Sequence, residues 1–250
     1  MVRCPVVVLA VVIAGIVFMT SVVWAQKLAD EPSHREALAR FTAGQEFMSA
    51  EQFERAGEEF RKAIDRDPLL SIAHYQLGQA HMNLRRYASA VKAYKDCIEA
   101  IRQLYTLQQT NRFQAEKRRD EEIQELKTML NTGKVVGTLT NLSLEQHLRD
   151  LENQRTSMGG AFRPPAEVLL ALGSAHFRNG DREAAEAEWL AAIQRNPKLG
   201  EAHNNIAVIY MQTGRLDEAL QEVTLAEKAG FKVNPQFKAD LKEKVKAAKR

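Results

Sequence analysis

The chain has 250 residues, 45% of them apolar, and a formal net charge of +3 from 35 Lys and Arg against 32 Asp and Glu. That length and composition suffice for one large domain or a short solenoid with a sizeable core. Charges of both signs are interspersed, which argues against a dedicated nucleic-acid binder with its clustered Lys and Arg.

The first 25 residues differ in kind. After Met-Val-Arg-Cys-Pro, the run from Val6 to Trp24 is almost wholly apolar. Ala25, with Val23 two positions before it, suits signal-peptidase cleavage. The alternative is an uncleaved anchor at residues 6–24, since about 19 apolar residues nearly span a bilayer. Either reading takes the bulk of the chain out of the cytoplasm, as a periplasmic or secreted protein or a membrane-anchored one. Cys4 precedes the apolar run, so it is not a lipoprotein attachment site. Cleavage would leave Cys97 alone, unable to form an internal disulfide and expected to be a small buried residue. Residues 26–36 read as a linker.

Small and apolar residues then recur with a period of 34, the length scale of a repeat architecture. Four blocks align: Ala37 to Leu70, Ser71 to Leu104, Ala166 to Leu199 and Gly200 to Val233. Position eight holds Gly44, Gly78, Gly173 and Ala207. Position twenty holds Ala56, Ala90, Ala185 and Ala219, and position twenty-seven Ala63, Cys97, Ala192 and Ala226. These are small residues, as two closely approaching antiparallel helices require. Position twenty-four holds the larger Phe60, Tyr94, Trp189 and Val223. Pro68 and Pro197 close two blocks, because proline cannot continue a helix.

On these residues the chain resembles the tetratricopeptide-repeat family, over 136 of its 250 residues. It departs at Arg40 and Leu169, where the family often has an aromatic, and at Arg102 and Phe231, which replace the closing proline. The resemblance implies an all-α superhelix, or α-solenoid, of two repeat pairs at residues 37–104 and 166–233.

Between the pairs lie residues 105–165. The second block lacks its closing proline, and the next 30 residues, from Ile101, contain neither Pro nor Gly, so its last helix is expected to run out of the array, bent near Thr110 and Asn111. Gly133 ends that helix and TGKVVGTLTNL reads as a loop. Ser143 and Gln146 make a capping-box pattern. Ile123, Leu126 and Leu130 face a matching stripe of Leu144, Leu148 and Leu151. The expectation is an unequal helical hairpin, or coiled-coil arm, projecting from the solenoid; a charged, mostly disordered insert is the alternative. At the far end, Gly230 suits a helix C-cap, and Asn234-Pro235 a cap and first turn. Phe237, Leu241, Val245 and Ala248 then line one face of a capping helix over residues 234–250, as the open end of a solenoid requires.

Catalytic signatures are not found: no HExxH, no CxxC, no GxSxG, and Gly133-Lys134 lacks the glycine spacing of a phosphate loop. Asn141-Leu142-Ser143 is formally a glycosylation triplet, a weak three-residue match. His74 and His81 stand two helical turns apart, roughly 10 Å, too far to share one metal; they read as packing residues, like His176 and His203. No enzyme activity, metal or cofactor is expected.

What remains is surface. The resemblance implies that the first helix of each repeat lines a concave groove. Carried over, this assigns Phe41, Gln45 and Met48; Tyr75, Gln79, Met82 and Asn83; Leu170 and Phe177; and Asn204, Asn205 and Met211. Aromatics, Met and amides suit a docked peptide or helix, since Met adapts to its partner. Part of this stripe could equally be core between repeats. The expected function is a non-catalytic cell-envelope adaptor that takes a protein or peptide in the groove, without nucleic acid, and touching membrane only if the N-terminal segment stays. The alternatives are a homo-oligomer built through the hairpin and an accessory subunit of an envelope enzyme complex.

Overall fold

The computed structural model describes residues 28–110, 112–132, 138–156 and 162–248. The expected signal or anchor segment lies outside them. Among the described residues the secondary structure is helical and no strand occurs, and no helix is long and apolar enough to cross a membrane.

The first two repeats are α1 (Glu31–Ser49) with α2 (Phe53–Arg66), and α3 (Ser71–Asn83) with α4 (Tyr87–Thr110). The insert supplies α5 (Arg112–Thr132) and α6 (Thr138–Thr156). Then come α7 (Ala166–Arg178) with α8 (Arg182–Arg195), α9 (Gly200–Gln212) with α10 (Leu216–Lys228), and finally α11 (Pro235–Ala248).

Each repeat is a helical pair pinned by one close approach. A methyl group added at Gly78 would stand 2.5 Å from the Tyr94 ring, and one at Gly173 would stand 2.6 Å from the Trp189 indole. Position eight is therefore small because position twenty-four is large. In the fourth repeat Ala207 is tolerated because its counterpart is only Val223, and both are buried.

The turns and ends recur as faithfully. Position fifteen is left-handed in all four repeats: Glu51 and Arg85 at φ 56°, Gly180 at 91° and Gly214 at 81°. Only glycine adopts this conformation without steric cost. Asp67 and Asn196 end α2 and α8 at φ −137°, extended as residues before a proline must be. His74 and His203 then bond through Nε2 to the carbonyls of Pro68 and Pro197, at 2.9 and 3.0 Å. These histidines fasten one repeat to the next.

The stack is continuous across the insert. Tyr94, Cys97, Ile98 and Ile101 of α4 share one apolar core with Val168, Leu169 and Leu172 of α7. The Phe162 ring, just before α7, lies 5.9 Å from that of Tyr105 and under the Arg102 guanidinium at 5.2 Å. The chain thus leaves and re-enters the solenoid at one place. Cys97 is fully buried, and burial pushes its thiol well up, so it stays protonated. At the C-terminus Asn234 Oδ1 accepts from Gln236 N at 2.8 Å and starts α11. Its Leu241 is fully buried, with Phe237 and Val245 packed beside it; Ala248 is exposed.

Three expectations are corrected. First, α1 begins at Glu31, inside the segment read as linker, because Asp30 accepts from Ser33 N at 2.9 Å and caps it. Second, α6 begins at Thr138 rather than after Ser143, and the two arms are nearly equal at 21 and 19 residues. No Pro or Gly lies between Thr138 and Thr156, so nothing holds the start of the helix back to the capping-box pattern. Third, the hairpin does not project. Ile123, Leu126 and Met129 of α5, with Leu144 and Leu151 of α6, join the same apolar cluster as Phe41, Phe60 and Ile72. α5 is apolar toward two neighbours, α6 and the repeats, and so lies down on the first pair.

Candidate functional site

The hairpin divides the expected groove into two halves. In the first, Phe41 and Ile72 are fully buried and Leu38 is packed beside them. Thr42 donates to Glu125 of α5 at 3.2 Å, and Ser71 donates to Glu122 at 2.6 Å. Tyr75 is 2% exposed, its ring 5.6 Å from that of Tyr94 and 6.2 Å from the imidazole of His147 on α6. Gln45 is buried too, and Met48 half-buried. Of the residues assigned to ligand contact in this half, Phe41, Gln45 and Tyr75 are therefore interior.

A polar node fixes the outer edge of the hairpin. Asp67, at the end of α2, receives His34 Nδ1 from α1, Arg118 Nη1 from α5 at 3.1 Å, and the Leu69 N–H at 3.2 Å. Burial pushes the Asp67 carboxyl up to about 6, with the Leu69 N–H pulling it down. Arg118 also donates to the carbonyl of Ala29, and Lys117 reaches Glu31.

The second half is open. Leu170, Phe177, Asn204, Asn205 and Met211 are all half-buried, with the Phe177 ring 5.7 Å from that of Trp189. Where the halves meet lies a cavity of about 480 Å³. Tyr75, Gln79 and Met82 line it from α3, Gln146 from α6, Glu167, Leu170 and Ser174 from α7, and Glu201 from α9. The Gln79 amide donates to the Tyr75 hydroxyl at 3.1 Å, and the exposed Asn83 amide turns back to the Gln79 carbonyl at 3.0 Å.

The cavity carries chemistry that sequence reasoning missed. Glu167 is buried, and its carboxyl is pushed up to about 8 by burial and by the hydrogen bond that its protonated form donates to Asp150 on α6. Burial also raises Glu201. A protonated carboxyl both donates and accepts hydrogen bonds, so at neutral pH this wall can match the amide groups of a peptide. The sequence carries no signal for Asp150 and Glu167: one lies on the hairpin and the other opens a repeat, and only the fold brings them together. Glu122 and Glu125 are more legible, since they flank Ile123 and Leu126 on α5.

Within the described residues, no group of three or more His, Cys, Asp or Glu could hold a metal ion. His81 and His176 are buried among the helices, and burial, with Arg61 and Arg86 nearby, lowers His81.

Four stacked helical pairs, with a small residue at position eight and a matched residue at twenty-four, agree with the family comparison. The tetratricopeptide-repeat model matches residues 41–103 and 170–230, the two repeat pairs on either side of the insert. The chain is a tetratricopeptide-repeat protein. Among curated proteins, the photosystem I assembly protein Ycf3 of two Synechococcus strains, one of them Synechococcus elongatus, is 39% identical over 51 residues. That match takes in 20% of this chain and 30% of the relatives' length. Solved repeat structures resemble it more broadly and more loosely. PilW, a type IV pilus biogenesis factor, is 14% identical with a TM-score of 0.38, covering 88% of this chain and 94% of its own. YrrB, a tetratricopeptide-repeat protein with an unusual peptide-binding site, is 15% identical with a TM-score of 0.30, covering 85% and 95%.

Proposed function

We propose that this tetratricopeptide-repeat protein is a non-catalytic adaptor that holds an extended segment of a partner protein in the open half of its groove. The observation that carries this reading is the cavity of about 480 Å³ at the junction of the two pairs. It has the size of a site for one or two side chains. Met82 and Leu170 give it apolar walls, and Gln79, Gln146, Ser174 and Glu167 give it groups that bond a peptide backbone. Asn204 and Asn205 continue the amide lining along α9. The binding role agrees with relatives named for assembling a complex, although that likeness spans only a fifth of this chain. The cell envelope is the proposed location, on the strength of the apolar N-terminal segment alone.

The test is a pull-down from cell-envelope extract with the tagged chain beside a Met82→Ser, Asn205→Ala variant of unchanged helicity. A partner recovered by the native chain and lost by the variant supports the reading. Equal recovery with both moves the binding surface off this groove. Tyr75 is not a suitable probe, because it lies under the hairpin.

A further inference from the structure

The first half of the groove is filled by the chain itself. α5 lays Ile123, Leu126 and Met129 into the apolar cluster of Phe41 and Ile72. Beside that stripe, Glu122 and Glu125, one turn apart, accept hydrogen bonds from Ser71 and Thr42. This is a helix lying in a groove, read by apolar anchors at helical spacing and by a flank of carboxylates.

The fit is incomplete. His147, buried on α6, makes no hydrogen bond through either ring nitrogen, and its carboxylate neighbour Glu122 stands back at 3.7 Å. Such buried polar atoms are normally satisfied. Nor does the solenoid need the hairpin for its continuity. α4 packs directly on α7, and Phe162 closes on Tyr105 across the base of the insert.

We infer that the α5–α6 hairpin is a displaceable occupant of the first-pair groove, and that the partner which replaces it is an amphipathic helix with an apolar stripe flanked by carboxylates. Such a helix would meet the same Phe41 and Ile72 surface and the same Ser71 and Thr42 hydroxyls that α5 now meets. The first-pair surface adjoins the cavity, which takes Gln146 from α6, but the peptide test below reads Phe41 and Ile72 without reference to that cavity, so failure here leaves the proposed function standing.

The probe is an isotope-labelled, fluorescein-tagged peptide with the sequence of residues 112–132. It is titrated against the full chain and against an Ile123→Asp, Leu126→Asp chain whose hairpin has lost its anchors. The expected result is at least tenfold tighter binding by the loosened chain, and none when the peptide carries the same two substitutions. In the native chain, saturating peptide should speed amide exchange across Ile123–Met129 and leave exchange in α8–α10 unchanged. Unchanged affinity in the loosened chain, with helicity retained, would overturn the proposal. So would loss of cooperative folding of the repeats in that chain, or amide exchange in native α5 that saturating peptide does not alter. Either would make the hairpin a fixed layer of the core.

Discussion

The phenol ring of Tyr75 lies nearly parallel to the imidazole of His147, with centroids 6.2 Å apart and planes 11° from parallel. One residue belongs to the second repeat and the other to the insert, so this contact measures how firmly the hairpin is held. Tyr75 also packs against Tyr94 inside its own repeat. Replacing Tyr75 with Ser should cost about 3 kcal/mol or more, as for other large buried aromatics, read by urea unfolding. His147→Ala should cost less and should loosen α6 selectively, seen as faster amide exchange across Leu144–Leu151 with little change in α3.

The pairing of Gly78 with Tyr94 predicts a compensated double substitution. Gly78→Ala sets a methyl 2.5 Å from the Tyr94 ring and should destabilise by about 1–3 kcal/mol through overpacking. Tyr94→Val removes the obstruction and recreates the Ala207–Val223 pair of the fourth repeat. In the Tyr94→Val background, Gly78→Ala should therefore cost much less than in the native chain. A double-mutant cycle by denaturant unfolding measures that difference; additive costs would contradict the packing argument.

The same pairing explains why the repeat is legible in the amino-acid sequence. Spacing between small and large positions inside one helical pair is local, and each repeat prints it again. The fate of residues 105–165 is not local. α5 has apolar residues toward α6 and toward the repeats together, and a one-dimensional pattern does not say which neighbour each will meet. A stripe of Ile123 and Leu126 read as a seam with α6 alone leaves the hairpin standing in solvent. The missed burial of Phe41 and Tyr75, which meet the hairpin, follows from that one misplacement, as does the missed meeting of Asp150 with Glu167. Capping fails in a smaller way: Ser143 with Gln146 has the right form, but nothing stops a helix from starting earlier.

Arg85 occupies the left-handed turn position that the third and fourth repeats fill with glycine, at φ 56° against 91° and 81°. A residue with a Cβ pays roughly 1 kcal/mol to sit there. Arg85 is exposed, so its side chain contributes little packing. Arg85→Gly should raise stability by at most about 0.6 kcal/mol, once roughly 0.4–1 kcal/mol for the added flexibility of the unfolded chain is subtracted. Thermal melting in one buffer, with Glu51→Gly as the parallel test in the first repeat, checks the expectation. A fall in melting temperature for both would mean that the turn is held by side-chain contacts instead.

The carboxyl of Glu167, raised from 4.5 to about 8 in the folded chain by burial and by Asp150, links the hairpin to the third repeat through pH. Between those two values the folded state keeps a proton that the unfolded chain has lost. Stability from this group is therefore fully present below about pH 4.5, declines as pH rises, and is lost by about pH 8. Asp67, raised to about 6, acts in the same direction. His74 and His81, lowered by burial, act oppositely, weakening the fold as pH falls through their range. Comparison with Glu167→Gln at each pH isolates the one carboxyl, because glutamine keeps the shape and a donor but cannot ionise. The variant should gain on the native chain by more than ~1 kcal/mol between pH 5 and pH 8, read from urea midpoints. Exchange should slow over α6 in the variant at pH 8, since the Asp150 contact no longer has to hold two charges. A constant difference across the range would show that Glu167 ionises freely and that the proton plays no part in holding α6 to α7.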